Sequence, residues 1–303
     1  LACAPAAARP HGAAPIVVDT DMGLDDARAL YALLADDALD IAAVVVTEGS
    51  ASLDRGLANL FALLDAAGAT HVPVFAGAVL NTAPPWRETA NSLGGTAERT
   101  ENARQPFPLE DLPALLERRG EVAYLALGPL GSLAELARDH REAFARISTI
   151  CLPARSDPGG LHAWNLSVDP PAAKTVFENA RAVVLVDVSA GRSAAEGLLA
   201  SILRETPAAR FARSTLLPGG NAPHGFLCDE LAAAYAMDRS VAAAGVEPFR
   251  LEIRGATLSL VPDERGAVRL ANIGDPASAA AVLRSRWEKG PHRDGAEAVV
   301  ENP

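Results

Sequence analysis

Four carboxylates crowd into eight residues near the start of this chain: Asp19, Asp21, Asp25 and Asp26, within IVVDTDMGLDDARAL at Ile16 to Leu30. Ionised side chains this close repel one another. Acids beside a helix N-terminus can act as caps or complement its dipole. Four are more than capping needs, and their mutual repulsion requires a cation to offset it. An all-oxygen donor set suits a hard divalent ion, Ca²⁺ or Mg²⁺.

The elements that must position these acids are legible around them. An apolar run, Ile16 to Val18, stops at the acids, and a helical pattern, Ala27-Leu30-Leu33-Leu34, follows Gly23. This predicts a buried strand, a tight turn and a helix. The acids then lie at the carboxyl end of a strand, where open α/β sheets bind ligands. Further strand-like runs are Ile41–Thr47, Val72–Phe75, Val122–Leu127, Ile147–Leu152 and Ala182–Val188. Helix-like stretches alternate with them at Asp25–Leu34, Leu53–Ala67, Leu109–Arg119, Leu130–Arg138 and Pro170–Asn179. The expected fold class is α/β, a mostly parallel, doubly wound sheet with helices on both faces. From Ser193 the pattern turns helical, with a buried helix at Asp229–Ala236. Arg250–Val261 and Ala267–Leu270 are expected to form a hairpin across Asp263-Glu264-Arg265-Gly266. A last helix spans about Pro276–Trp287. The Pro/Gly-rich stretch Asn81–Pro108 reads as a long loop of the kind that covers sites. Residues 1–15 read as a disordered leader, 16–290 as one domain and 291–303 as a loose tail.

Composition narrows the function. The 303 residues are 49% hydrophobic and 21% charged, ordinary for a well-cored globular protein. A formal net charge of −11 and the absence of a Lys/Arg-rich stretch argue against a nucleic acid polymer as partner. No apolar run approaches the ~20 residues of a membrane span. Cys3, Cys151 and Cys228 lack metal-binding spacing, and Cys151 is expected in the core. Leu1-Ala2-Cys3 resembles the end of a bacterial lipoprotein signal. A lipid on Cys3 would then be the one membrane attachment, with an exported location, the alternative being cytoplasmic.

The acidic segment fits, without a gap, the signature D-x-D-x-G-x-D-D-A of the inosine-uridine preferring nucleoside hydrolase family. Further landmarks follow in order: Leu127-Gly128-Pro129-Leu130, Trp164-Asn165, Asp169-Pro170 and Cys228-Asp229. The chain therefore resembles that family over most of its length after residue 15. The resemblance implies Ca²⁺ held by Asp21, Asp26, Asp229 and the backbone carbonyl of Leu127, with water and a sugar diol completing the shell. It implies Asp21 as the base that takes a proton from metal-activated water, and Asp25 and Asn165 as holders of the ribose 2′- and 3′-hydroxyls. Asp19 would order the turn. Ser50 and Trp164 join Asp25 and Asn165 as substrate-binding candidates. Simpler readings stand beside these: Asp229 as a helix N-cap, Asn165 as a loop hydrogen-bonder, and Trp164 as a packing residue rather than one that stacks on a base. The implied reaction is hydrolysis of an N-glycosidic bond in a small ribosyl compound, through an oxocarbenium-like transition state. The family's dimers and tetramers imply a homo-oligomer.

Departures from the pattern fall on the substrate side. Where many members carry a His that protonates the leaving base, this chain has Cys228, which the resemblance makes the second catalytic candidate beside Asp21 and whose plain reading is packing. Ser50 replaces an expected Asn, Ala163 replaces the acid that holds the 5′-hydroxyl, and a His-Gly segment is missing from Trp86–Thr96. His162 and Arg155 lie nearby without matching a family position. The expected substrate therefore has an altered 5′ group or aglycone. Two other functions fit parts of the chain. One is a Ca²⁺-dependent sugar-binding protein without activity. The other is a haloacid-dehalogenase-type phosphatase with Asp19 as nucleophile.

Overall fold

The computed structural model describes residues 14–93, 104–157, 160–191, 198, 206–215, 227–244, 247–254 and 257–291. The first half alternates strands and helices: β1 (Ile16–Thr20), α1 (Leu24–Leu34), β2 (Ile41–Val46), α2 (Leu53–Ala67), β3 (Val74–Ala76), α3 (Arg87–Asn91), β4 (Phe107–Pro108), α4 (Leu112–Arg119), β5 (Val122–Ala126), α5 (Gly131–Asp139), α6 (Arg141–Phe144) and β6 (Ile147–Asp157). Next come β7 (Gly160–His162), α7 (Trp164–Ser167), α8 (Pro170–Asn179) and β8 (Val183–Asp187). The described remainder holds α9 (Pro207–Ser214), α10 (Asp229–Met237), β9 (Ala243–Ala244), β10 (Phe249–Arg254), β11 (Thr257–Pro262), β12 (Val268–Asn272) and α11 (Pro276–Lys289).

Eight strands pair in parallel in the order β4-β3-β2-β1-β5-β6-β8-β12. An antiparallel flap of β7, β11 and β10 branches from β6 and returns at β12. The fold is therefore the expected mostly parallel α/β sheet. Strand alternation divides the core. Val18, Val44 and Val46 face one side, with Leu30, Leu33, Leu60, Leu231 and Trp287 from the covering helices. Val17, Val45, Tyr124 and Ile150 face the other, with Leu116, Leu133 and Val176. Both layers are covered by helices, as a doubly wound sheet requires.

One element differs from expectation. The run Arg250–Val261 is not one arm of a hairpin but a hairpin in itself, β10 against β11, closing at Arg254 opposite Thr257. The segment Asp263–Gly266 instead hands the chain to β12, which runs parallel to β8 along five residue pairs. The strand expected at Ile147–Leu152 also continues to Asp157, which lets β7 fold back on it. The loop expected at Asn81–Pro108 contains α3 and ends in β4. Cys3, most of the expected leader and tail, and most of the stretch from Ser193 to residue 205 lie outside the described residues.

Candidate active site

The carboxyl ends of β1, β2, β5 and β6 open into a cavity of about 720 Å³. Asp21, Asp25, Asp26, Ser50, Leu127, Trp164, Asn165, Cys228 and Asp229, each singled out from sequence, all line it. Asp19 does not. Its position in β1 turns it to the Tyr124 side of the sheet, where it is fully buried. There the Thr47 hydroxyl donates to one carboxylate oxygen at 2.6 Å and the Tyr124 hydroxyl to the other at 2.8 Å. Burial pushes the Asp19 carboxyl up to about 7, against these two hydrogen bonds. A carboxylate sealed in this way is out of reach of a phosphoryl group, which removes the phosphatase reading.

Beyond β1 the backbone breaks sharply. Met22 has φ of +51°, the one positive value on a non-glycine among the described residues, and its side chain is fully buried. Backbone held in this sparsely populated region is characteristic of functional turns. Asp21 precedes it, in a cradle that requires glycine on two sides. A Cβ at Gly49 would lie 2.2 Å from an Asp21 carboxylate oxygen, and one at Gly128 would lie 3.1 Å from the Asp21 nitrogen. The Ser50 N–H donates to Asp21 at 2.8 Å.

Asp26 is the centre of the cluster. One of its oxygens accepts the Thr20 hydroxyl at 2.5 Å and the Asp21 N–H at 3.2 Å, and the other accepts the Gly23 N–H at 3.0 Å. Asp26 thus caps α1 as well as facing the cavity. Its charge acts on both Asp21 and Asp229, which line the same cavity. Burial, then the charge and contact of Asp26, push Asp21 well above the ordinary carboxylate range. Asp229 is raised by burial and then by Asp25 and Asp26. Asp25 is pushed up to about 7 by burial and by Asp26 and Glu230, with Arg28 pulling the other way. Cys228 occupies the cap position of α10, which makes Asp229 the first residue inside that helix. Ligand atoms of Asp25, Cys228 and Asp229 lie within 4.8 Å of one another. The Cys228 thiol is raised well above its usual value by burial, then by the surrounding acids, so it stays protonated.

The opposite wall is polar and aromatic. Asn165, in α7, donates its amide to the Leu127 carbonyl just past β5. Trp164 meets Trp86 edge-on, with ring centroids 5.4 Å apart, and the Trp86 N–H donates to the Ser50 hydroxyl at 3.2 Å. Arg87 ties α3 to the end of β2 by donating to Glu48 at 2.6 Å and to the Gly49 carbonyl at 2.8 Å. His162 and Arg155, cross-strand neighbours on β7 and β6, also line the cavity. Sequence reasoning missed Trp86, Arg28, Glu230 and the glycine cradle. Only Arg28 had a readable signal, because its spacing of three from Asp25 puts both on one helix face.

Solved nucleoside hydrolases share this fold. An inosine-uridine preferring nucleoside hydrolase from Bacillus anthracis superposes with a TM-score of 0.72 at 17% identity, covering 91% of this chain and 99% of that one. A plant nucleoside hydrolase gives 0.74 at 20%, with the same coverages of 91% and 99%. The chain belongs to the inosine-uridine preferring nucleoside hydrolase family, whose sequence model matches residues 16–293. That family is metal-dependent. A pyrimidine-specific ribonucleoside hydrolase RihA from Photobacterium profundum is 33% identical over 177 residues, covering 54% of this chain and 57% of the relative. A non-specific ribonucleoside hydrolase RihC from Klebsiella pneumoniae is 28% identical over 183 residues, covering 56% and 60%. The matched part of the chain thus spans little more than half the length of these curated relatives.

Proposed function

We propose that this protein hydrolyses the N-glycosidic bond of a ribonucleoside or a related ribosyl compound, with Ca²⁺ as its cofactor. One observation carries the reading: Asp21, Asp25, Asp26 and Asp229 line one cavity together with Asn165 and Leu127, and ligand atoms of Asp25, Cys228 and Asp229 lie within 4.8 Å of one another. The donor set fits a hard cation. Buried acids that raise one another's pKa gain most from a positive charge between them, and oxygen donors select Ca²⁺ or Mg²⁺ over softer ions. Asp21, Asp26, Asp229 and the Leu127 carbonyl would hold the ion, which when bound would supply the charge that lowers the pKa of a nearby water.

The protein's own groups then divide the work. Asp21 accepts the proton of the attacking water as oxygen bonds to the anomeric carbon and the bond to the base nitrogen breaks, its electron pair leaving with the base as an anion that takes a proton from solvent. Asp25 and Asn165 orient the ribose diol. The surrounding carboxylates stabilise the positive charge that develops on the sugar. The Trp86–Trp164 wall shields the reacting face from bulk water. Cys228 keeps its proton and contributes shape beside the leaving base rather than acid catalysis.

Release of reducing sugar from a panel of nucleosides and nucleotides, with and without EDTA, tests the reading. Activity on at least one ribosyl compound, abolished by the chelator and restored by Ca²⁺, is expected. Inactivity across the panel, with melting still raised by Ca²⁺ and ribose, would leave a sugar-binding protein instead.

A further inference from the structure

Beneath the acidic cluster lies a charge pair that the proposed reaction does not use. Arg28, on the cavity side of α1, donates from Nε to Glu230 of α10 at 2.5 Å and from one terminal nitrogen to the Thr215 hydroxyl at 3.1 Å. Arg28 is 1% exposed and Glu230 fully buried. The second Glu230 oxygen accepts the Cys228 N–H at 3.1 Å, so the pair is joined to the start of α10. Each partner adjoins the cluster: Arg28 lies one turn along α1 from Asp25, and Glu230 follows Asp229. Arg28 interacts electrostatically with Glu230, Asp25 and Asp229, and Glu230 with Asp25 and Cys228.

A buried ion pair is a weak source of stability, because desolvation offsets much of its attraction. Apolar residues could join α1 to α10 as well. At this place the pair has a different consequence. It sets a positive charge and a negative charge beside acids that lie close together with no cation between them. Screening is weak in such a site, so each charge acts on any cation that enters.

We propose that the Arg28–Glu230 pair is an internal counter-charge that sets how tightly the acidic cluster holds its cation, with both members acting as positioning residues. The inference rests on the cation reading above. Glu230→Gln leaves Arg28 unbalanced beside Asp25 and Asp229, where it competes with the incoming ion. Arg28→Gln leaves Glu230 on the side of the cluster. Replacing both restores the charge balance.

Ca²⁺ titration by calorimetry on the full chain, with melting of the chelated protein as the check on folding, separates this from a purely structural role. Glu230→Gln is expected to weaken Ca²⁺ binding at least about tenfold. The double variant Arg28→Gln/Glu230→Gln is expected to return within about threefold of the parent. If Glu230→Gln does not fold, Arg28→Gln against the double variant decides, and it should bind Ca²⁺ at least as tightly. A double variant weaker than Glu230→Gln, or an Arg28→Gln weaker than the double variant, overturns the proposal. So does parental affinity in Glu230→Gln. Failure of the parent protein to bind Ca²⁺ overturns the cation reading itself, whereas binding that is indifferent to the pair overturns only this inference.

Discussion

Gly49→Ala is the most informative single change in the site, because it adds one methyl group against one catalytic candidate. The new Cβ would lie 2.2 Å from an Asp21 carboxylate oxygen, 2.7 Å from its Cβ and 2.8 Å from its Cγ. Ordinary contact begins near 3.4 Å, so something must retreat by about 1.2 Å. The glycine's own segment is held, since Arg87 donates to the Gly49 carbonyl at 2.8 Å and the Gly49 N–H bonds the Ala51 carbonyl at 3.1 Å. Asp21 is therefore the part that moves, away from the Ser50 N–H and the cluster. A misplacement of about 1 Å at a reacting group costs on the order of 100-fold in rate, or about 2.7 kcal/mol of transition-state stabilisation. Overpacking of this kind costs about 1–3 kcal/mol of folding stability, a Tm loss of roughly 2–10 °C for a chain this size. The assay is kcat/KM from reducing-sugar release, alongside Ca²⁺ affinity and Tm. Gly120→Ala is the comparator: its φ of +80° strains any side chain, but nothing lies within 4 Å of the added methyl. It should lower Tm and spare activity. Gly49→Ala with kcat/KM within about threefold of the parent would refute the claim that this glycine exists to admit Asp21.

Three further outcomes are expected. Asp25 has a folded pKa near 7 against an ordinary 3.8, so in the cation-free protein its contribution to stability is complete below about pH 4 and lost as pH rises through 7. A cation reverses that loss, so the Tm gap between Ca²⁺-loaded and chelated protein should widen from pH 5 to pH 8; a gap that is flat or narrows over that range contradicts the assignment. Asp19→Asn turns one of the two oxygens that accept the Thr47 and Tyr124 hydroxyls into a donor and should lower stability by about 1–3 kcal/mol. Its activity should stay within about tenfold of the parent, and a folded but dead variant would return Asp19 to the chemistry. Trp86→Ala deletes a 46%-exposed ring together with its contacts to Trp164 and Ser50. KM should rise about tenfold with kcat and Tm little changed, whereas a loss confined to kcat would assign Trp86 to the chemical step.

Local pattern made most of the fold legible. The strands β1, β2, β5 and β8 are short apolar runs bounded by polar or small residues, and the helices between them carry apolar stripes, so periodicity alone located them. The late hairpin was misplaced for a definite reason. Asp263-Glu264-Arg265-Gly266 looks more like a turn than Gly255-Ala256 does. What decides is strand pairing: β10 lies antiparallel to β11, and β12 runs parallel to β8, a contact between residues some 85 apart in sequence. Long-range pairing of that kind leaves no local trace.

The acids show the same boundary on a finer scale. Asp19 and Asp21 share a motif and a spacing that pattern cannot separate, yet one is walled off beneath two hydroxyls and the other faces the cavity. Strand parity accounts for half of the difference: Asp19 follows Val17 to the Tyr124 face. The rest comes from Met22, whose left-handed backbone ends the alternation just where Asp21 must leave the sheet. No residue type announces that break, since methionine is disfavoured in such a conformation. What stabilises it comes from elsewhere in the chain: the Gly49 and Gly128 backbones that admit Asp21, and the Asp26 carboxylate that receives three hydrogen bonds from the turn. The motif therefore works only as a folded unit with the ends of β2 and β5. Its chemistry could be read from the residue types, but which acid does it depends on the neighbouring strands.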